Sequence, residues 1–285
     1  MKNEQIKAIV KEKYSELAVA RTESCCNSGG DDPMSIMSDK YDQLQGYHAD
    51  ADLGLGCGLP TEFAQIKQGD IVLDLGSGAG NDCFVARHET GPEGKVMGVD
   101  FSPEMIQRAR QNASQMGYHN MEFREGDIEN LPIEDNSIDV IVSNCVLNLV
   151  PDKVQVFQEI HRVLKPGGHF SISDIVLEGE LPSGLQDAAE LYAGCVAGAS
   201  QKADYMNIIA NTAFEDVQLQ KVKPIILPDE LLNQFLSPEQ VKSYHNSNLG
   251  ILSITVFGRK RGGVPQGETT KKDKTASSWL PGCCG

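Results

Sequence analysis

Ile71-Val-Leu-Asp-Leu-Gly-Ser-Gly-Ala-Gly80 is the stretch that decides the fold. Its first half, residues 71–75, is short, apolar and partly β-branched, as expected of a strand that is buried on both faces. Three glycines then alternate with small residues, and a glycine has no Cβ to keep a ligand away from the backbone N–H groups. No Gly-Lys-Ser/Thr follows, which excludes a Walker loop. The stretch predicts a strand, a nucleotide-binding turn and the start of a helix, with a plain strand–helix connection as the alternative.

Strands and helices alternate downstream of this turn, which predicts an α/β fold with a mainly parallel sheet. The predicted strands are 71–75, 95–100, 121–127, 139–145 and 169–176, followed by a terminal antiparallel pair at 214–227 and 251–260. Ser102 and Pro103 are the expected N-cap and first residue of the helix after the second strand. Lys165-Pro-Gly-Gly168 predicts a turn before the fifth strand, and residues 182–213 predict a helical insertion.

Four segments are expected from the composition along the chain. Residues 1–60 begin as an amphipathic helix and continue as a polar, then glycine-rich cover that carries cysteines. Residues 61–180 contain a ligand-binding core, and residues 181–260 contain the helical insertion and the last strands. Residues 261–285 are rich in Gly, Lys, Thr and Ser, which predicts a disordered tail that carries Cys283 and Cys284.

The charge and hydropathy of the chain exclude several classes of partner. A formal net charge of −15, with no basic patch before the tail, argues against binding to nucleic acid or to an anionic membrane. No stretch has the apolar core of a signal peptide or the length of a membrane span. We therefore expect a cytoplasmic protein. No exposed apolar run requires a partner, which favours a monomer.

Eight cysteines in such a chain indicate thiols, redox centres or soft-metal ligands rather than a disulfide framework. The sequence has no C-x-x-C pair and no histidine at metal spacing to a cysteine, which argues against structural zinc. Cys145 directly follows the fourth predicted strand, and Cys195 lies on the insertion helix that can fold over the same edge. The two thiols are expected to share a pocket, with core packing as the alternative for each. Cys83, inside the first helix, is assigned to core packing.

Polar side chains end three successive predicted strands, at the edge where open α/β sheets bind their ligands. Asp100 can accept both hydroxyls of a ribose, and Asp127 can accept an adenine amino group while the backbone N–H beside it reaches a ring nitrogen. Asn144 ends the fourth strand. A single acid at a strand end is commonly a helix cap or a solvated charge, but three polar strand ends in this order favour an adenosine site. Asp82 is either a helix-capping residue or a ligand contact.

The position of Asp74, two residues before the first glycine, resembles the first motif of S-adenosylmethionine-dependent methyltransferases. The ligand of those enzymes has an ammonium group to neutralise and no pyrophosphate. The candidate residues for binding this cofactor are Asp74, Gly76, Ser77, Gly78, Gly80, Asp100, Met105, Asp127, Ile128 and Asn144.

Several longer motifs resemble one family closely. They are Gly56-Cys57-Gly58-Leu59, Asn81-Asp82-Cys83, Ser143-Asn-Cys-Val-Leu-Asn-Leu-Val-Pro-Asp-Lys153, Gly194-Cys195-Val196-Ala197-Gly198-Ala199 and the terminal Gly282-Cys-Cys-Gly285. Over residues 10–260 the chain is similar to arsenite S-adenosylmethionine methyltransferases, which function in arsenic detoxification. The resemblance implies a Rossmann-like class I methyltransferase fold with a mostly parallel seven-stranded sheet, a helical insertion and a small C-terminal extension.

The same resemblance implies which thiols act on arsenic. Cys145 and Cys195 would hold trivalent arsenic (arsenite or methylarsenite), Cys57 would supply a third thiol, and Cys25 or Cys26 would match the family's N-terminal cysteine. Trivalent arsenic is thiophilic and its lone pair is the nucleophile, so the enzyme needs thiolates and alignment rather than a general base. Because methylation leaves fewer thiolate ligands, Cys57 and the N-terminal pair are expected to matter most for inorganic arsenite.

Methylation oxidises arsenic to the pentavalent state, so a reductant is also expected. Nearby thiols can supply the electrons by forming a disulfide that thioredoxin or glutathione then reduces. The terminal pair of cysteines either passes arsenic inward or has no role. Two other functions stay open from the sequence: a methyltransferase of an organic small molecule, and a thiol-based arsenic-binding protein.

Overall fold

The structure is a computed structural model that describes residues 7, 10–12, 14–18, 39–186, 198–247 and 249–262. The strands are β1 Ile71–Leu75, β2 Lys95–Asp100, β3 Met121–Glu125, β4 Ile138–Asn144, β5 Leu164–Glu178, β6 Ser200–Gln201, β7 Phe214–Pro224 and β8 Gly250–Lys260. The helices are α1 Pro60–Phe63, α2 Asn81–Thr90, α3 Pro103–Gln115, α4 Lys153–Val163, α5 Ser183–Gln186, α6 Lys202–Ala210, α7 Asp229–Phe235 and α8 Pro238–His245, with a 3-10 turn at Leu147–Leu149.

One sheet of eight strands contains all of these strands, in the order β3-β2-β1-β4-β5-β8-β7, with β6 paired to β5. The first five strands run parallel, whereas β8 is antiparallel to both β5 and β7. The predicted α/β fold class and the terminal antiparallel pair are therefore confirmed. The chain reverses its strand order between β1 and β4, and such a switch opens a crevice at the carboxyl ends of the two strands.

Burial of β1 on both faces follows from its apolar sequence. Val72 belongs to a cluster with Phe84 of α2 and Ile106 of α3, whereas Leu73 belongs to a second cluster with Phe157 of α4. Successive side chains of a strand point to opposite faces, so helices cover the sheet on each side. Ser102 caps α3 as predicted, since its hydroxyl accepts the N–H of Met105 at 3.2 Å.

Three local predictions need correction. The third strand ends at Glu125, not at 127. Lys165-Pro-Gly-Gly168 is a bulge within β5 rather than a turn before it, because the ladder with β4 passes from Ile138–Leu164 to Val140–His169. The helical insertion predicted at 182–213 includes the short strand β6, and the helices α7 and α8 have no predicted counterpart.

The N-terminal segment lies over the carboxyl end of the sheet. The described residues of 7–18 are helical, as predicted; Lys7 forms ion pairs with Asp127 and Glu129, and Ser15 donates to Glu104 at 2.6 Å. The amphipathic helix therefore covers the crevice, and no described helix is long and apolar enough to cross a membrane.

Candidate active site

The glycine turn after β1 needs its glycines for both backbone conformation and space. Gly76, Gly78 and Gly80 have φ of 68°, 51° and 97°, a region that side-chain-bearing residues adopt with strain. A Cβ on Gly76 would lie 2.4 Å from the Val146 side chain. The N–H groups of Gly76 and Ser77 both donate to the carbonyl of Val99, at 2.7 and 3.0 Å. The turn is thereby fixed against β2.

Asp100, at the end of β2, is tied to the same turn. Its carboxylate accepts the N–H of Gly78 and the N–H of Ser102, each at 2.9 Å. Burial raises the pKa of Asp100 to about 6, although these backbone donors lower it. The side chain lines the crevice together with Ser77 and Met105.

The crevice is acidic, and the group that it fits is a cation. Asp52, Asp74, Asp82 and Asp100 line it, and among the described lining residues none is Lys or Arg. A pyrophosphate would meet carboxylates there, whereas an ammonium and a sulfonium would be attracted. The residues present therefore fit S-adenosylmethionine and not a dinucleotide.

Asp74 and Asp82 are neighbouring buried carboxyls of this acidic lining. Burial and then the nearby Asp82 carboxylate raise the pKa of Asp74 well above its ordinary value. Burial raises the pKa of Asp82 to about 6, against hydrogen bonds from Tyr41 and Asn144 that lower it. Two buried carboxyls side by side favour a bound positive charge between them.

The structure excludes one of the two alternatives for Asp82 and adds a contact for Cys83. Asp82 does not cap α2: Gly80 is the N-cap without a side-chain bond, and Asp82 accepts the Tyr41 hydroxyl at 2.8 Å. Cys83 is buried, as core packing predicts, but it also donates its thiol to Asp74 at 3.2 Å. It therefore helps to hold the Asp74 carboxylate.

The predicted adenine-binding residues lie in an adjoining part of the crevice. Asp127 and the buried Ile128 line it, beside Gly76 and Asp100. The Lys7 ammonium donates to Asp127 at 2.6 Å, so the N-terminal helix closes this part of the crevice from above.

Asn144, at the end of β4, connects the crevice to a loop that carries a cysteine. Its side-chain oxygen accepts the N–H groups of Cys57 and Gly58, at 3.0 and 3.3 Å. Its amide nitrogen donates to Tyr41 at 2.5 Å, to the Gly58 carbonyl at 2.8 Å and to Asp82 at 3.2 Å. One amide therefore fixes both an acid of the crevice and the position of Cys57.

Cys57 and Cys145 are brought together next to the crevice. Their Sγ atoms and a carboxylate oxygen of Asp174 all lie within 4.8 Å of one another, and all three residues are buried. Cys145 also lines the crevice itself. Two thiols at this spacing can hold one thiophilic atom between them.

Local backbone geometry positions the thiols of Cys57 and Cys145. Cys145 has φ of 61°, an uncommon conformation for a residue with a side chain, and its N–H donates to the Ser173 carbonyl at 2.8 Å. A Cβ on Gly56 would lie 2.6 Å from the Asn144 amide, and one on Gly58 would lie 2.6 Å from the Ser173 hydroxyl. The glycines on either side of Cys57 let the loop approach β4 and β5 this closely.

Asp174 is a buried acid within β5, and no role was predicted for it from the sequence. It is 0% exposed, accepts the N–H of Ile175 at 3.1 Å and accepts the Tyr205 hydroxyl at 3.4 Å. Burial raises the pKa of Asp174 to about 7. The sequence did contain a sign that Asp174 is special, because an acidic residue stands inside an apolar strand, between Ile172 and Val176. Tyr41, in a polar stretch, gave no such signal.

Five of the predicted thiols lie outside the described residues. They are Cys25, Cys26, Cys195, Cys283 and Cys284. The structure therefore unites two of the cysteines predicted to act on arsenic, Cys57 and Cys145.

The sequence is similar to a methyltransferase domain family and to curated arsenite methyltransferases. Residues 66–213 match the model of a methyltransferase domain. An arsenite methyltransferase from Halobacterium salinarum is 43% identical over 274 residues, which cover 90% of this chain and 67% of that protein. The chain belongs to the arsenite methyltransferase family. This membership confirms the resemblance found in the sequence.

Other arsenite methyltransferases match in part. One from Aquipseudomonas alcaligenes is 39% identical over 64% of this chain and 54% of its own length. The crystal structure of an arsenic(III) S-adenosylmethionine methyltransferase from Chlamydomonas reinhardtii has a TM-score of 0.61 and 31% identity, over 84% of this chain and 76% of that one. The chain thus spans 67% and 54% of the two curated relatives, and the class I methyltransferase fold of the family is confirmed.

Proposed function

We propose that this chain transfers a methyl group from S-adenosylmethionine to trivalent arsenic held by its thiols, for arsenic detoxification. The observation that carries the proposal is the placement of Cys57 and Cys145 within 4.8 Å of each other, with Cys145 lining the acidic crevice. The substrates are arsenite and methylarsenite.

The cofactor, when bound, supplies a methyl group on a positively charged sulfur that leaves as a neutral thioether. Asp74 and Asp82 would favour the cationic end of such a ligand and Asp100 would accept its hydroxyls, since all three line the crevice. The two thiols would hold arsenic at the edge of the crevice, next to the acids that would hold the methyl donor. Burial of both thiols excludes water from the acceptor. No base is needed, because the attacking lone pair carries no proton.

As the family resemblance implies, we assign Cys195 as the ligand that holds arsenic together with Cys145, Cys57 as the third thiol, and a further thiol to Cys25 or Cys26. Support for Cys195 comes from the chain just after it: Ser200 pairs with Val176, two residues beyond Asp174. Five residues of chain can span at most about 18 Å, so the connection to Ser200 is compatible with Cys195 as a ligand of the acceptor site.

Transfer of a methyl group leaves arsenic pentavalent, and we propose that thiols of this chain reduce it by forming a disulfide. Thioredoxin or glutathione would then restore the thiols. This cycle fits a reducing cytoplasm, where we place the protein as a monomer. The acidic net charge of −15 supports the absence of nucleic-acid and membrane partners.

The deciding experiment incubates the protein with labelled S-adenosylmethionine, arsenite and a thiol reductant, and separates the arsenicals by chromatography. Wild type should yield methylated arsenic, whereas Cys57→Ser should lose arsenite turnover and Cys145→Ser and Cys195→Ser should lose turnover of both substrates. Cofactor binding by calorimetry should persist in all three variants.

The other two functions predict different results. An enzyme for an organic acceptor would leave arsenite unmethylated in the wild type. A thiol-based binding protein would bind arsenite but give no heat of S-adenosylmethionine binding in calorimetry. The acidic crevice, which fits a cationic ligand, argues against this function.

A further inference from the structure

Asp174 is a buried carboxyl that the proposed reaction has not used. One of its oxygens lies within 4.8 Å of both Cys57 Sγ and Cys145 Sγ, yet trivalent arsenic prefers sulfur ligands to carboxylate oxygen. The reaction needs no general base either. Its partners are two neutral donors, the Ile175 N–H and a Tyr205 hydroxyl at the long distance of 3.4 Å.

An anion in this position is costly. Removing a carboxylate from water is unfavourable unless hydrogen bonds or an opposite charge compensate, and here the compensation is weak. Lys153 attracts Asp174 through space. The carboxylate would therefore gain most from a positive charge that arises at the thiol pair itself.

Methyl transfer creates such a charge. The lone pair of arsenic forms the new As–C bond, the S–CH3 bond of the donor breaks, and its electron pair returns to sulfur. Sulfur becomes neutral, and arsenic is oxidised from the trivalent to the pentavalent state and becomes positively charged. The positive charge thus moves from the donor to the arsenic between the thiols.

We propose that Asp174 is a catalytic residue that stabilises the positive charge developing on arsenic. The inference rests on the proposed function. Cys145 lines the crevice that holds Asp74 and Asp82, whereas Asp174 does not line it. Asp74 and Asp82 therefore lie where the methyl donor would bind, and Asp174 lies beside the thiols that would hold the acceptor. A fixed charge aimed at the atom where charge develops lowers the barrier without binding the ground state more tightly.

Asp174→Asn tests this, because asparagine keeps the shape and can keep both hydrogen bonds. We expect arsenite and cofactor affinities within about threefold of wild type and a single-turnover rate of methyl transfer lower by about 100-fold, a typical loss for one such electrostatic group. In steady state the loss should appear in kcat, with KM unchanged. If Asp174→Asn does not fold, Asp174→Ala replaces it in the same assays, because alanine introduces no larger side chain. Circular dichroism shows whether each variant is folded.

Cadmium binding gives a readout that does not depend on turnover. Cd²⁺ brings a positive charge to the same thiols, and thiolate-to-metal absorption in the ultraviolet reports its binding. We expect Asp174→Asn to bind Cd²⁺ at least about tenfold more weakly while arsenite, which is neutral, binds as before. Asp204→Asn, on the exposed face of α6, makes the same change in net charge and should match the wild type in both assays.

The outcomes separate the two proposals. A methyl-transfer rate within twofold of wild type in a folded Asp174→Asn variant would overturn the role of Asp174. Equal losses of arsenite and Cd²⁺ affinity would overturn it too, because they would make the residue a structural support of the thiols. If the wild type bound arsenite and did not methylate it, the proposed function would fail, and the Cd²⁺ comparison would still decide whether Asp174 favours positive charge at the thiols.

Discussion

Replacing Asn144 by alanine should release Cys57 and weaken arsenite binding. Three hydrogen bonds join the Asn144 amide to the backbone of the loop: two accepted from the N–H groups of Cys57 and Gly58, and one donated to the Gly58 carbonyl. A buried hydrogen bond contributes about 1 kcal/mol net, so the loop loses about 3 kcal/mol of its preference for the position beside Cys145. A factor of ten corresponds to about 1.4 kcal/mol, which gives an arsenite dissociation constant up to about 100-fold weaker.

The assay is equilibrium dialysis of arsenite with arsenic quantified by mass spectrometry, and calorimetry of cofactor binding runs in parallel. Ser253→Ala is the matched variant, because the Ser253 hydroxyl donates to the Cys57 carbonyl at 2.5 Å and holds the same residue by one bond. Its arsenite affinity should fall by about fivefold. An arsenite affinity within threefold of wild type in folded Asn144→Ala would refute the reasoning. If Asn144→Ala lost affinity for the cofactor alone, Asn144 would be a cofactor-binding residue, as predicted, and would not position Cys57.

Three further predictions concern stability. The pKa of Asp174 is about 7 when folded against an ordinary value of 3.8, so the unfolding free energy of the wild type should fall as pH rises between these values. The Asp174→Asn variant should therefore have the same unfolding free energy as the wild type near pH 4 and one higher by the order of 4 kcal/mol above pH 7, measured by urea unfolding. If the unfolding free energies of the two proteins changed in parallel with pH, this prediction would be contradicted. In Gly76→Ala the new Cβ would lie 2.4 Å from the Val146 side chain, and the protein should lose at least about 2 kcal/mol of unfolding free energy. In Gly78→Ala the nearest atom would be 3.9 Å away, and the loss should be about 1 kcal/mol. Equal losses in the two variants would contradict the steric argument. Ser102→Ala removes the N-cap of α3 and should cost about 1 kcal/mol in the same measurement, and an unchanged midpoint would exclude a capping role.

The glycine turn and the positions of the main strands along the chain could be predicted because their signals are local. A run of apolar residues followed by alternating glycines specifies a buried strand and a tight turn wherever it occurs, and the N-cap at Ser102 depends on four neighbouring residues. The bulge at Lys165-Pro-Gly-Gly168 was read as a turn for the same reason: its residues favour one, and only pairing with β4 shows that the strand continues on both sides.

The site was predictable where chemistry follows from position along a strand. Cys145, Asp100 and Asn144 follow from their places at strand ends, and the structure puts each at the same edge of the sheet. The contacts that join Tyr41 to Asp82 and Asn144 to the Cys57 loop span 41 and 87 residues of sequence, so no local pattern encodes them. Asp174 was missed because its significance depends on two thiols that reach it from other segments.

The close packing of Gly56 and Gly58 makes the short sequence Gly-Cys-Gly a signature by which this kind of acceptor site can be recognised in other chains. Neither glycine can gain even a methyl group without meeting Asn144 or Ser173. A methyltransferase with the same cofactor turn but a larger residue at either position has to hold its loop farther from the sheet, and its thiol with it. We expect such chains, in genome surveys, to be methyltransferases of other acceptors.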